Sequence, residues 1–240
     1  MFIDARDDAG HSSYQRLASL AVNATSVLDV ACGTGALLSL IRDGAPTAGL
    51  VGIDLSESEL RLAENRLPAA RLSVARAQAL PIATDSVDVV LCHMALMLMD
   101  RPEDTLAEIG RVLRSGGRFS AIVNRAAPPD AIAKIVLKAL RPAWEQAGGS
   151  MQPPPLGDSR VLDGGALTAL VGAHFDEARV EQFDVVRDVS RDELWPFLVD
   201  SLYGMDAIDD VDARQRLDAA DVPDPVRWTI PMAQVHGRAR

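Results

Sequence analysis

The chain has 240 residues, 48% of them hydrophobic, and a formal net charge of -10. That length suits one domain, or one domain with a cap, and supplies enough apolar side chain for a sizeable core. The acidic balance repels nucleic-acid phosphate, and no dense basic cluster offsets it, so an RNA or DNA partner is disfavoured. Lysine occurs at Lys134 and Lys138. The two cysteines, Cys32 and Cys92, read as free thiols of a reducing compartment. The start is polar (Asp4, Arg6, Asp7, Asp8) and unlike a signal peptide. No apolar run reaches the ~20 residues of a membrane span. The expectation is a soluble, cytoplasmic protein with no membrane partner and no metal site.

Met1 to Gly10 reads as a fraying start. Ser12 or Ser13 caps a helix over Tyr14 to Val22, with Leu17, Leu20 and Ala21 on one face. Tyr14 either packs there or folds over a ligand at the loop ahead. Ser26 to Ala31 is a strand, apolar except for Asp29, as a strand buried on both faces in a parallel sheet requires. After Gly35, Leu37, Leu38, Leu40 and Ile41 predict an amphipathic helix ending near Asp43-Gly44, with Pro46 beyond it. Gly49 to Asp54 is a second strand that ends in an acid. Ser56 and Glu59 form a capping-box pattern for a helix through Leu60, Ala63 and Leu67, stopped by Pro68. Arg71 to Ala75 is a third strand and Ala79 to Ile82 a connecting loop.

Ser86 to Cys92 predicts a fourth strand, and Pro102 opens a helix whose buried face carries Leu106, Ile109, Val112 and Leu113. Ser115-Gly116-Gly117 ends that helix, and Arg118 to Asn124 is a fifth strand. Strand and helix alternate throughout this half, which argues for a parallel α/β sheet. The second half is less regular. Helices are expected at Ala131 to Leu140, Gly165 to Ala173 and Asp192 to Tyr203, with a Gly/Pro-rich loop from Trp144 to Gly157. Ala178 to Val189 and Arg227 to His236 predict two more strands. Asp206 to Asp221 reads as an acidic, helical, solvated face.

The stretch Val27 to Leu38 organises the chain: a buried strand, a Gly-rich turn and a helix N-terminus, the usual seat of a polar or charged small molecule. A Walker A loop needs Lys and Ser/Thr after its last Gly, but Ala36 and Leu37 stand there. A dinucleotide loop wants a small residue where Leu38 stands. Asp29 ahead of the glycines would repel a pyrophosphate but attract an ammonium group. The loop therefore suits an α-amino acid end, its carboxylate facing the helix N-terminus. Asp54, closing the next strand, can accept from both hydroxyls of a ribose. An amino acid and a ribose joined through sulfur describe S-adenosylmethionine.

These pieces resemble the class I S-adenosylmethionine-dependent methyltransferases of the broad small-molecule group. The match lies in Val27 to Gly35, Val51 to Leu55, Ala77 to Pro81, Asp85 to Leu91 and Leu106 to Gly117, and covers Ser13 to Asn124 well. The resemblance implies a doubly wound, mostly parallel seven-stranded Rossmann-like sheet with a helical substrate cap. It implies one domain over 1–240, with a cofactor-binding core at 12–124 and cap or substrate insertions at 125–160 and 190–222. It also implies that Asp29, Ala31, Cys32, Gly33, Thr34 and Gly35 cradle the methionine part and Asp54 the ribose. Leu55 would pack on the adenine, Ala77 and Gln78 would lie at its edge, and Cys92 would offer backbone near the amino group. Two departures stand out: Ala31 where the family often has Gly, and Arg76 where it often has an Asp that accepts from the adenine amine. Arg cannot accept a hydrogen bond, which leaves backbone groups or Gln78 for that task.

The expected reaction is in-line methyl transfer to a small, partly apolar acceptor at O, N or C, in which the protein mainly aligns the acceptor. His93, following the fourth strand, is the candidate base, or it lines the pocket without proton transfer. His174 and His236 read as structural. Met94, Met97 and Met99 pack in the core or form an adaptable apolar wall, and Trp144, Trp195, Phe197 and Tyr203 predict an apolar acceptor site. Alternatives are a protein or RNA target, or a non-methylating, cyclase-type role on the same fold. A homodimer is compatible with the sequence.

Overall fold

The unbroken apolar run at Val27, Leu28 and Val30 makes β1 (Ser26–Val30), and all three side chains are fully buried. The computed structural model describes residues 4–146, 157–201 and 208–240. The other strands are β2 (Gly49–Asp54), β3 (Arg71–Val74), β4 (Val87–His93), β5 (Leu113–Asn124), β6 (Asp176–Val189) and β7 (Val226–Arg238). They form one seven-stranded sheet of order β3-β2-β1-β4-β5-β7-β6. β1 to β5 run parallel, and β7 lies antiparallel between β5 and β6.

Helices cover both faces, which is what strands buried on both sides demand. One face carries α1 (Ser13–Ala18), α2 (Ala36–Gly44), α3 (Glu57–Arg66), α5 (Ala131–Gln146), α7 (Arg191–Ser201) and α8 (Asp210–Asp218). The other carries α4 (Pro102–Val112) and α6 (Gly164–Gly172), which bury Leu106, Ile109, Leu167 and Val171. The predicted helices and strands are present, with shifted ends. Helix α5 runs on through Trp144 to Gln146, so the start of the expected loop is helical; residues 147–156, Tyr203 and Asp206 lie outside the described residues. Leu113, placed by periodicity on the buried helix face, opens β5 instead. Gly116, at φ +73°, is a bulge within β5, where Val87 pairs with Leu113 but Val89 with Arg118.

Two local expectations are corrected. Ser56 accepts from the Glu59 N–H at 3.3 Å, but its own N–H donates to Asp54 Oδ1 at 2.9 Å, so Asp54 takes the place of the Glu59 carboxylate in the capping box. Residues 4–10 are not a fraying start. Arg6 exchanges both backbone hydrogen bonds with Val186 on the edge of β6, at 2.9 and 2.7 Å, and Ala5 is fully buried. The segment thereby covers an open sheet edge.

β7 pairs in register with β5 as far as Met232 and Asn124; its residues Val226 to Pro231 continue beyond that ladder, paired with β6, with one further bond from Arg125 N–H to the Pro231 carbonyl at 3.2 Å. At 3.3 Å per residue this ribbon overhangs the carboxyl edge of the parallel strands by about 20 Å. Helices α7 and α8 join its two strands, and α5 packs on α8. These helices are thus fixed to the β6–β7 ribbon and to one another.

Candidate functional site

Strand order reverses between β1 and β4, and a crevice opens at their carboxyl ends, the place where ligands bind in open α/β sheets. The turn Ala31 to Gly35 forms one wall. Ala31, Gly33 and Gly35 all have positive φ, at +61°, +50° and +74°. Cys32 N–H donates to the Ile53 carbonyl at 3.0 Å and Gly35 N–H to the Cys32 carbonyl at 2.9 Å, which ties the turn to β2. A Cβ on Gly35 would meet Leu67 Cδ1 at 2.9 Å and Ala63 Cβ at 3.2 Å, and at φ +74° any L side chain there is strained. Arg66 holds Thr34 by its carbonyl and hydroxyl oxygens, at 3.2 and 3.3 Å. Gly35 is the N-cap of α2, and no side chain caps it. The first-turn N–H groups thus have no side-chain partner, and N–H groups so placed favour a carboxylate.

Leu38 is fully buried against β2 at Gly52, whose added Cβ would lie 3.0 Å from Leu38 Cδ1 and 2.7 Å from Cys32 Sγ. A glycine in β2 thus makes the room that a small residue in the helix makes in a dinucleotide loop.

Beneath the turn, Asp29 is 1% exposed and its Oδ1 has no hydrogen-bond partner. Burial, and then the neighbouring charge of Asp54, push its carboxyl well above the usual carboxylate range. Asp54 at the end of β2 accepts from Gly33 N–H at 2.7 Å and Ser56 N–H at 2.9 Å, so its side chain is oriented by backbone on both sides. Burial, with the Asp29 and Asp54 charges, raises the Cys32 thiol, and burial pushes the Cys92 thiol up to about 12. Both thiols stay protonated at neutral pH and are not nucleophiles.

Beside Asp54 lies a recess of about 130 Å³ lined by Leu55, Ala77, Gln78, Leu98 and Met99, among others. Leu55 is 64% exposed and Leu98 43%, so two large apolar side chains stand open to one slot. Its polar rim is Arg76, Gln78 and Asp100: Gln78 Nε2 donates to Asp100 Oδ1 at 3.1 Å, and the Arg76 guanidinium lies 3.7 Å from the same oxygen. Asp100 was not singled out by sequence; it sits in a short irregular connection with no periodicity or motif to mark it.

On the other side of the turn, His93 ends β4. Its Nε2 is 2.9 Å from Ser13 Oγ, and its ring stacks on Tyr14 with centroids 3.9 Å apart. Burial lowers the imidazole to about 3, so it is neutral at pH 7. Burial, and then the Asp29 charge, raise the Tyr14 phenol. Ser13, taken in the sequence only as a helix cap, is the second residue that reading missed; Ser12 is the cap, in a full capping box with Gln15. The three methionines separate: Met97 is buried in the core, Met99 lines the recess beside Asp54, and Met94 has φ +55° just after His93. Trp144, Trp195 and Phe197 are buried in the core under the helical cover rather than open to a cleft. Among the described residues, no group of three or more His, Cys, Asp or Glu could hold a metal ion, and no helix is long and apolar enough to cross a membrane.

Residues 28–121, from β1 into β5, match the family described as Methyltransferase domain. The chain is 31% identical over 145 residues to malonyl-[acyl-carrier protein] O-methyltransferase of Methylococcus capsulatus, over 59% of this chain and 50% of that protein. It is 41% identical over 105 residues to the ubiquinone/menaquinone biosynthesis C-methyltransferase UbiE of Dinoroseobacter shibae, over 41% of this chain and 42% of that protein. The chain thus spans about half the length of these curated relatives. Among solved structures, YcgJ of Bacillus subtilis aligns over 95% of this chain and 98% of its own, with a TM-score of 0.63 at 17% identity, a likeness of fold.

Proposed function

We propose that this chain, a class I S-adenosylmethionine-dependent methyltransferase by its domain at residues 28–121, binds S-adenosylmethionine in the crevice between β1 and β4 and methylates a small, partly apolar acceptor. The observation that carries this reading is the unpartnered Oδ1 of Asp29, buried below a turn whose helix N-terminus is uncapped. An unpaired buried charge is costly, and a cationic partner removes the cost. An ammonium group at Asp29 and a carboxylate at the first turn of α2 satisfy both ends of an α-amino acid. Asp54, held by Gly33 and Ser56, retains lone pairs for the hydroxyls of a ribose. The slot between Leu55 and Leu98 suits a planar base.

When bound, the sulfonium supplies an electrophilic methyl group and a neutral thioether leaving group. What the chain contributes is alignment of the acceptor and exclusion of water. His93 is a weak base at a conjugate-acid value of about 3. With Ser13 and Tyr14 fixing its ring, it acts as a neutral hydrogen-bonding wall that orients the acceptor. The helical cover of α5, α7 and α8 closes over that side. A small-molecule acceptor is supported by relatives named for O-methylation of malonyl-[acyl-carrier protein] and for C-methylation in quinone biosynthesis; the methylated atom is O, N or C.

Isothermal titration with S-adenosylmethionine and S-adenosylhomocysteine tests the cofactor. Failure of both to bind at millimolar concentration overturns the proposal. A transfer screen against phenols, amines and indoles with radiolabelled methyl donor then identifies the acceptor class.

A further inference from the structure

We infer that Asp100 recognises the exocyclic amine of the bound adenine, a task that the neighbouring Arg76 cannot perform. The inference rests on the cofactor reading above. An adenine amine is a hydrogen-bond donor and needs an acceptor at the rim of the slot. Arg76 lines that rim, but a guanidinium carries five donors and no acceptor. Asp100 lines the same recess, on the connection that follows the 3₁₀ turn Leu96–Leu98. Gln78 donates to its Oδ1 at 3.1 Å and Arg76 lies 3.7 Å from that atom, so both residues turn toward Asp100. They orient its carboxylate and use one of about four lone-pair positions, leaving acceptor capacity for the base.

The arrangement also sets specificity. Asp54 and Asp100 both line the recess with Leu55 and Leu98: Asp54 selects hydroxyls, the two leucines stack on the ring, and Asp100 selects an amine. A purine with a carbonyl there would set oxygen against carboxylate. Gln78 is the positioning residue of the pair, acting through Asp100.

The test is titration calorimetry on the full chain with S-adenosylhomocysteine and with its 6-deamino analogue, in which purine riboside replaces adenosine. The wild type should favour the adenosyl ligand by about tenfold, the weight of one hydrogen bond to a charged acceptor. Asp100→Ala should reduce that preference to about twofold, chiefly by weakening the adenosyl ligand, and Gln78→Ala should give an intermediate ratio. Asp100 is two-thirds exposed, at 67%, so the variant keeps its fold, which circular dichroism checks. An Asp100→Ala protein that retains the wild-type preference, or that loses both ligands equally, overturns the assignment. A wild-type chain that binds neither ligand overturns the cofactor reading itself, a result separate from either of these.

Discussion

Ala31 sits at φ +61°, where an L side chain is strained by about 1 kcal/mol. Ala31→Gly should therefore leave stability unchanged or raise it by up to about 1 kcal/mol, and Ala31→Val should lower it by more than that, read from urea midpoints. Two buried titratable groups beside this turn give opposite pH dependences. Asp29 binds its proton more tightly folded than unfolded, so its contribution falls as pH rises from about 3.8 through the raised folded value. Asp29→Asn should remove that fall, stabilise the free protein at neutral pH and weaken S-adenosylmethionine by tenfold or more. His93 has the reverse sign. Its folded value of about 3 lies below the ordinary 6.5, so its contribution is complete above pH 6.5 and is lost as pH falls toward 3. His93→Gln should flatten that limb in a pH series of denaturation curves. If His93 only orients the acceptor, the wild-type profile of kcat/KM should also show no limb near 6.5.

At the scale of elements, α1 is short and depends on Arg16. Its guanidinium donates to Gln234 on β7 at 3.0 Å, to Asp7 at 2.9 Å and to Glu181 on β6 at 3.1 Å, and it lies 4.2 Å from the Phe183 ring centroid. Gln234 is buried and donates in turn to Ser120 on β5 at 3.2 Å. One side chain thus fastens α1 to the sheet beneath it and to the segment ahead of it. The same helix presents Ser13 and Tyr14 to His93. Arg16→Met keeps most of the apolar stem but removes the donor to buried Gln234 and the cation beside Asp7, which keeps its bonds from the Ala9 and His11 N–H groups. It should cost about 1–3 kcal/mol in stability and raise KM for the acceptor more than it lowers kcat, measured by thermal melts and steady-state kinetics.

For the whole molecule, a ligand that binds only the folded state stabilises it by mass action. S-adenosylhomocysteine at a hundredfold its Kd should add about 2.7 kcal/mol and raise Tm by roughly 5–10 °C. A flat melting temperature across that titration would contradict binding in the crevice. The parallel core, the Gly-rich turn, Asp29 and Asp54 were legible in the sequence because each depends on local signals: an unbroken apolar run, glycines where φ must be positive, an acid closing a strand. The ordered start at residues 4–10 was not legible, since its backbone partner Val186 is far along the chain. Nor was the Ser13–His93–Tyr14 cluster, or the burial that lowers His93, because both arise only when α1 is laid across β4. By itself the sequence determined which residues make the strands and the turn, and which acids stand on those strands, since those are set by periodicity and backbone preference over a few residues. The tertiary structure alone decided that Gly52 accommodates Leu38, that Asp100 meets Gln78 and Arg76, and that the β6–β7 ribbon runs on past the end of β5. Each of these is a contact between residues remote in the chain, and no local preference specifies it.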